Sequence, residues 1–202
     1  MPPTTLLVNL VLSAILCGSV LAHPLPDVPV QATFDESGVG VVRVEVDLRL
    51  FDSEPATAPY FNNEYLPGKP PAWRTDNIEK ARAFVAANIE FFLDPGGRAT
   101  PEWEWAFTSQ KNAPLAKDDD PVVLTGTWRT AAGAKGYRIR STPENKWSVL
   151  FLNTLRGKEV ERTQVLFPGE SSFVLDLTAP APPAPAAKNS AAPWWKRIFG
   201  GA

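Results

Sequence analysis

The sequence is poor in the side chains that most catalytic and metal sites use. Its 202 residues include one cysteine, one histidine and one methionine. Cys17 falls inside a predicted N-terminal signal, so the exported chain is expected to have no disulfide, thiol nucleophile or thiolate metal site. A Ser-His-Asp triad would have to recruit His23 at the new N-terminus. We therefore predict that the protein is not an enzyme and uses no cofactor, and we assign no residues to a metal site.

Charge and hydropathy narrow the range of partners. The formal net charge is −2 at pH 7, which excludes broad electrostatic capture of nucleic acid. Beyond the N-terminus, no apolar run approaches the roughly 20 residues that a membrane-spanning helix needs. The body of the protein is therefore predicted to be a soluble domain with an ordinary hydrophobic core.

The one long apolar run lies at the N-terminus and indicates export. Residues 6–21 are mainly apolar, with Asn9 inside the run. The end of the run and the next residue form Val20-Leu21-Ala22, which suits signal peptidase cleavage after Ala22. We predict a signal peptide at residues 1–22 and a mature protein in the periplasm or on the cell surface. An uncleaved N-terminal anchor is the alternative.

The hydrophobic pattern after the signal has a period of two residues and predicts a mainly β domain at residues 23–178. Valines and leucines alternate with charged residues over 41–51, and residues 28–34 with the turn at 35–38 complete a β-hairpin. Short strands with regular turn signals favour an immunoglobulin-like β-sandwich of about eight strands, with an open barrel as runner-up. Further strands are predicted at 89–93, 103–107, 122–129, 137–141, 147–154, 160–167 and 173–177.

One helix is predicted within the β pattern, near residues 76–88. Asp76 can cap the helix, and Glu79 completes a capping box. Ile78, Ala81 and Val85 recur at helical spacing and give the helix one apolar face. The preceding segment, residues 52–74, is long for a loop in a compact domain, and such loops are either functional or poorly ordered.

Acidic side chains offer two weak site hypotheses. Glu102 with Glu104, and Glu159 with Glu161, could supply the carboxylate pair of a secreted hydrolase. The run at 118–120 could offer oxygen ligands to Ca²⁺, but it lacks the spaced ligands and the glycine of a calcium loop. We interpret all of these residues as parts of a solvated surface.

Seven tryptophans are many for this length. We interpret those in the body of the domain as core residues, because alternating tryptophans in a strand usually pack inward. A carbohydrate-binding platform is the alternative, and it requires at least two of the rings to be exposed and coplanar. The five candidates are Trp73, Trp103, Trp105, Trp128 and Trp147.

The C-terminus combines a spacer with an aromatic and basic tail. Residues 179–192 consist mostly of alanine and proline, a composition typical of a semi-stiff linker. The tail that follows can contact a membrane interface or dock in a groove of a membrane-associated protein. The alternative is that it folds back onto its own domain. The residues predicted to make this contact are Trp194, Trp195, Lys196, Arg197, Ile198 and Phe199.

Several features together resemble the extracytoplasmic β-domain of HupE/UreJ-like membrane proteins. These are the start His23-Pro24-Leu25-Pro26, the first hairpin, the helix and strand before the turn at 94–98, and the segment 160–170. In that family a multi-helix membrane domain linked to nickel or other metal handling follows the β-domain. The resemblance implies an exported β-module in which the aromatic tail takes the place of the membrane part, and it carries over no metal ligands.

These observations lead to one expected function and one alternative. We expect an exported, non-enzymatic interaction module that assembles with a membrane-associated partner through its tail. The alternative is a carbohydrate-binding module that uses tryptophan side chains.

Overall fold

A computed structural model describes residues 26–178 of the chain and shows a mainly β architecture with one α-helix. Three short 3-10 helices, at Leu48–Phe51, Asn63–Tyr65 and Gln110–Asn112, lie in the connections. The longer elements are β1 (Val28–Phe34), β2 (Gly40–Asp47), α1 (Pro71–Asn88), β3 (Ile89–Asp94), β4 (Gly97–Ala99), β5 (Glu104–Ser109), β6 (Val122–Arg129), β7 (Gly136–Ser141), β8 (Val149–Leu155), β9 (Lys158–Glu159), β10 (Gln164–Leu166) and β11 (Leu175–Asp176).

The strands form two sheets that pack face to face. The larger sheet has the order β10-β8-β1-β2-β6-β5, with β9 paired to β8, and its pairs are antiparallel except for β1 beside β8. The smaller sheet is antiparallel and has the order β11-β7-β3-β4. Side chains from both sheets meet in one core, where the ring centroids of Phe34 and Tyr137 are 5.2 Å apart. The β-sandwich predicted from the sequence, with its single inserted helix, is confirmed.

The alternation in β2 explains why this strand lies at the centre of the larger sheet. Val42, Val44 and Val46 are fully buried between the sheets, and each contributes about 2 kcal/mol of burial free energy. The residues that alternate with these valines along β2 face the other side of the sheet. Two of these, Glu45 and Asp47, are nevertheless buried, which indicates that another part of the chain covers the outer face of β2.

The predicted start of the helix was wrong. The helix α1 begins at Pro71 and not after Asp76, with Pro70 at the N-cap position. A proline in the first turn stabilises a helix start, because its missing N–H would have no partner there. Asp76 therefore lies within the helix, where its carboxylate forms an ion pair with Lys80 at 2.7 Å. The predicted apolar face is confirmed by the buried side chains of Ala81 and Val85.

Two predicted strands were also too long. The strand over residues 41–51 ends at Asp47, because the Asp47 carboxylate accepts the backbone N–H of Arg49 and starts a 3-10 helix. The predicted strand at 160–167 is reduced to β10, and the preceding hairpin closes early at β9. A side chain that bonds to the local backbone competes with strand pairing in this way.

The hydroxyl group of Tyr137 provides a test of this core. The side chain is fully buried, its hydroxyl has no hydrogen-bond partner among residues 26–178, and burial raises its pKa well above the usual range. A buried polar group without a partner costs about 1 to 3 kcal/mol. We therefore expect Tyr137→Phe to raise the free energy of unfolding by about 1 kcal/mol, measured by urea denaturation. Tyr65→Phe, at an exposed ring, is the control and should change stability by less than about 0.5 kcal/mol. A clear loss of stability in Tyr137→Phe would contradict this account.

Candidate functional site

The five tryptophans proposed as a sugar platform lie mainly against the core. Trp128 is buried, and the other four are half-buried. The planes of Trp103 and Trp105 are tilted by 48°, and both rings pack on the core cluster. A Cβ atom at Gly126 would lie only 2.9 Å from the Trp105 ring, so glycine is needed for this packing. These tryptophans therefore do not form an exposed coplanar row.

The predicted acidic candidates lie on the surface. Glu102, Glu104, Glu159 and Glu161 are exposed. In the run at 118–120, the Asp120 carboxylate accepts the backbone N–H groups of two residues of its own loop at 2.8 Å each, and these bonds lower its pKa. Within residues 26–178, no three His, Cys, Asp or Glu side chains are grouped to hold a metal ion.

The remaining predicted site residues lie outside the described part of the chain. They include His23, the signal at residues 1–22 and the linker at 179–192. The six residues of the predicted tail contact lie outside it as well: Trp194, Trp195, Lys196, Arg197, Ile198 and Phe199.

The structure shows a cleft that the sequence pattern did not indicate. It has a volume of about 550 Å³ and lies between the segment 48–65 and the first half of α1. We call it the aromatic cleft. Its lining combines aromatic rings and charged side chains. Among them are Arg49, Asp52, Tyr60, Phe61, Tyr65 and Trp73.

A stack of rings forms one wall of the aromatic cleft. Trp73 stacks on Phe61 at 5.1 Å and on Phe107 at 5.9 Å between ring centroids. The Lys69 ammonium lies 5.2 Å from the Trp73 centroid, a distance at which a cation is attracted to an aromatic face. The stack joins the long loop, the helix and the strand β5, so this wall is fixed by contacts from three elements.

Two exposed tyrosines form the open rim of the same cleft. Tyr60 is 42% exposed and Tyr65 is 56% exposed, whereas Phe61 between them is half-buried. Exposed rings beside a packed wall present apolar area and a hydroxyl group with little loss of conformational entropy on binding.

A buried ion pair attaches the loop to the sheet. The Arg49 guanidinium donates hydrogen bonds from Nε and Nη2 to Asp47 Oδ2 at 2.9 and 2.7 Å, and it lies 3.8 Å from the centroid of the Tyr60 ring. Burial disfavours the Arg49 charge, but the hydrogen bonds and charge of Asp47 keep the pKa of Arg49 raised. The position of Tyr60 therefore depends on the ion pair beneath it.

A second pocket of about 270 Å³ adjoins the aromatic cleft and shares Arg49 and Tyr60 with it. One of its lining residues is Glu45, which is 7% exposed and whose pKa is raised by burial. Glu45 Oε2 accepts the backbone N–H of Lys111 at 3.1 Å, and Oε1 has no partner among the described residues. Oε1 is covered from solvent, and the carboxyl group joins β2 to the Lys111 loop.

The Lys111 loop in turn supports the wall of the aromatic cleft. Lys111 and Asn112 have φ values of 59° and 55°, a strained conformation for residues other than glycine. Further along this loop, the backbone carbonyls of Asp120 and Asp118 accept the N–H groups of Asn63 and Glu64 at 2.9 and 3.0 Å. The covered face of β2, the loop and the cleft wall are therefore connected by hydrogen bonds.

No protein-family model matches the chain, and none of the curated proteins is significantly similar to it. In the described residues, none of the helices is both long enough and apolar enough to cross a membrane. The function of this protein is therefore inferred from the geometry of the cleft.

Glu45 gives a prediction for the pH dependence of stability. Its pKa is raised in the folded state, so the folded protein holds this proton more tightly than the unfolded chain. At acid pH the carboxyl group is protonated, and its burial is compatible with folding. As the pH rises through the pKa of the folded state, the carboxyl group ionises in its buried position and the free energy of unfolding falls. We expect the free energy of unfolding of Glu45→Gln, relative to that of wild type, to be higher at pH 7 than at pH 4 when both are measured by urea denaturation. Glu102→Gln is the exposed control, and a larger loss of stability in Glu45→Gln at pH 7 than at pH 4 would contradict the prediction.

The ion pair gives a second prediction. Both side chains are nearly buried, with 5% and 11% exposure, so removing one partner leaves an uncompensated buried charge. Arg49→Met should lower the free energy of unfolding by about 3 kcal/mol, measured by urea denaturation. Combining it with Asp47→Asn should restore part of that loss, because the unpaired charge is then removed. A loss below about 1 kcal/mol in Arg49→Met would show that Asp47 does not need this partner.

Proposed function

We propose that the protein is an exported, non-enzymatic interaction module that binds a segment of a partner protein in the aromatic cleft. The observation that carries this proposal is the pair of exposed tyrosines on a wall of stacked rings. Tyrosine is enriched at protein interfaces, because its ring buries a large area while its hydroxyl group stays hydrogen-bonded. The cleft volume of about 550 Å³ is large enough for one or two anchoring side chains.

The state of the acidic groups near the cleft supports binding over catalysis. Of the carboxylates that line the cleft, Asp76 is paired with Lys80, and Asp52 accepts the backbone N–H of Glu54. In the adjoining pocket, Asp47 is engaged by Arg49, and the free oxygen of Glu45 is covered. Each carboxylate is thus bonded or covered, which does not favour the proton exchange that a general acid or base must make.

Carbohydrate binding is the alternative, and it would have to use the tyrosines of the rim. Trp73 already has two rings stacked on it, and the guanidinium of Arg49 lies on the ring of Tyr60. Tyr65 is the most exposed ring of the cleft. With one face of Tyr60 covered by Arg49, the rim gives less stacking area for a sugar chain than a coplanar row, so a protein segment is the better candidate.

Export and a membrane-associated partner are further parts of this proposal. They depend on the predicted signal at residues 1–22, on the aromatic and basic tail at 194–199, and on the resemblance to HupE/UreJ-like proteins. A module held near a membrane by its tail would present the aromatic cleft to proteins in the same place. The tail and the cleft would then be two separate contact surfaces.

Site-specific photo-cross-linking in the native cells tests the proposal. A benzophenone side chain is placed at Tyr65, and at exposed Ala132 in the turn before β7 as the matched control. We expect a discrete protein adduct from position 65 that is absent from position 132. The absence of any adduct at position 65 would contradict the proposal, and binding of a defined glycan to the purified protein, lost in Tyr65→Ala, would favour the alternative.

A further inference from the structure

We propose that the aromatic cleft is the docking site for the C-terminal segment 194–199 of this same chain. This inference rests on the proposed binding function of the cleft and specifies which segment it recognises. Its supports are the charge of the cleft wall, the composition of the segment and the distance that the linker can cover.

The lining of the aromatic cleft carries two carboxylates and two cations, but the segments around it are acidic. The segment 52–65 contains Asp52, Glu54 and Glu64 and has no lysine or arginine, so its formal charge is −3. The loop bonded to it, residues 116–120, contains three aspartates and one lysine, which adds −2. Two cations of the cleft lining are paired, Arg49 with Asp47 and Lys80 with Asp76, and Lys69 beside the ring stack adds +1. The surface beside the exposed tyrosines therefore attracts a cationic segment.

The C-terminal segment has the complementary chemistry. It contains two tryptophans and one phenylalanine, and between them the cations Lys196 and Arg197. Aromatic and arginine side chains are the residues that most often anchor a segment in a partner's groove. The cleft already holds two cations against its rings, Lys69 near Trp73 and Arg49 on Tyr60, so its walls suit cation–π contacts.

The linker is long enough for this contact within one molecule. Leu177 is fixed beside the end of β8, since its N–H bonds to Lys135 and its carbonyl accepts Arg156 at 3.0 Å. The cleft lies towards the other end of the larger sheet, and the seven residues of β1 span about 23 Å between the two ends. The 15 residues from 179 to 193 reach about 46 Å when they are in a polyproline conformation. A linker of suitable length gives an effective concentration in the millimolar range, so even weak contacts suffice for docking.

Docking of this segment would regulate the proposed function. A partner that binds in the cleft must first displace the segment, and the displaced segment is then available to a membrane or a membrane-associated protein. Docking of the tail in the cleft and contact of the tail with a membrane would therefore be mutually exclusive.

The test uses the purified mature chain with the benzophenone side chain at position 65. Irradiation, digestion and mass spectrometry should show an adduct between position 65 and a peptide that contains residues 194–199, formed within one molecule at low protein concentration. The charge-reversed variant Lys196→Glu/Arg197→Glu should reduce the yield at least roughly fivefold, because two favourable charge contacts are lost. The matched control is the same label at Ala132, which should give no such adduct.

The other outcomes separate this inference from the proposed function. An adduct that joins two molecules would show that a second copy supplies the segment, which overturns the intramolecular docking. An adduct insensitive to the charge reversal would overturn the complementarity argued here. If the purified chain gives no tail adduct but native cells give an adduct with another protein, the inference fails and the proposed function stands. If position 65 gives no adduct in either experiment, both fail.

Discussion

The buried pair of Arg49 and Asp47 is the interaction on which the organisation of this surface depends. It closes the end of β2, begins the 3-10 helix and supports the ring of Tyr60. A buried ion pair contributes little net free energy, because desolvation offsets most of its attraction, but breaking it is costly. Its main effect is therefore to specify one conformation of the long loop that follows. The aromatic cleft exists because that loop is held in one place.

The same surface is supported from a second direction by the loop around Lys111. Glu45 fixes the start of this loop, and the carbonyl groups near its end hold Asn63 and Glu64. Two strained residues and one unsatisfied carboxylate oxygen are thus located at the second pocket, which adjoins the aromatic cleft. Local strain of this kind persists only where the surrounding structure determines it, and it concentrates at functional sites. The strained loop beside the cleft is a physical reason to propose a binding function for this surface.

The sandwich could be predicted because its alternating hydrophobic pattern lies within short segments of sequence. The cleft could not be predicted, because it is formed by contacts between residues that are far apart in the sequence. Val42, Val44 and Val46 indicate a buried strand within five residues of sequence. The start of α1 was missed although Pro71 offered a signal, since Asp76 offered a more familiar cap. Glu45 reads as a solvated residue until Lys111, 66 residues later, covers it. The contact between Arg49 and Tyr60 likewise depends on the path of a loop that has no periodicity.

Amide hydrogen exchange in Tyr60→Ala tests most directly whether the cleft is a preformed surface held by these contacts. The variant removes the ring above Arg49 and leaves the ion pair and the core in place. The account predicts that protection falls at least roughly tenfold at the N–H groups of Asn63 and Val122, which bond between the loop and the cleft wall. The N–H of Thr130, bonded to Gly40 in the sheet, should keep its protection. Unchanged protection at Asn63 and Val122 would contradict the claim that the Arg49 contact holds the cleft.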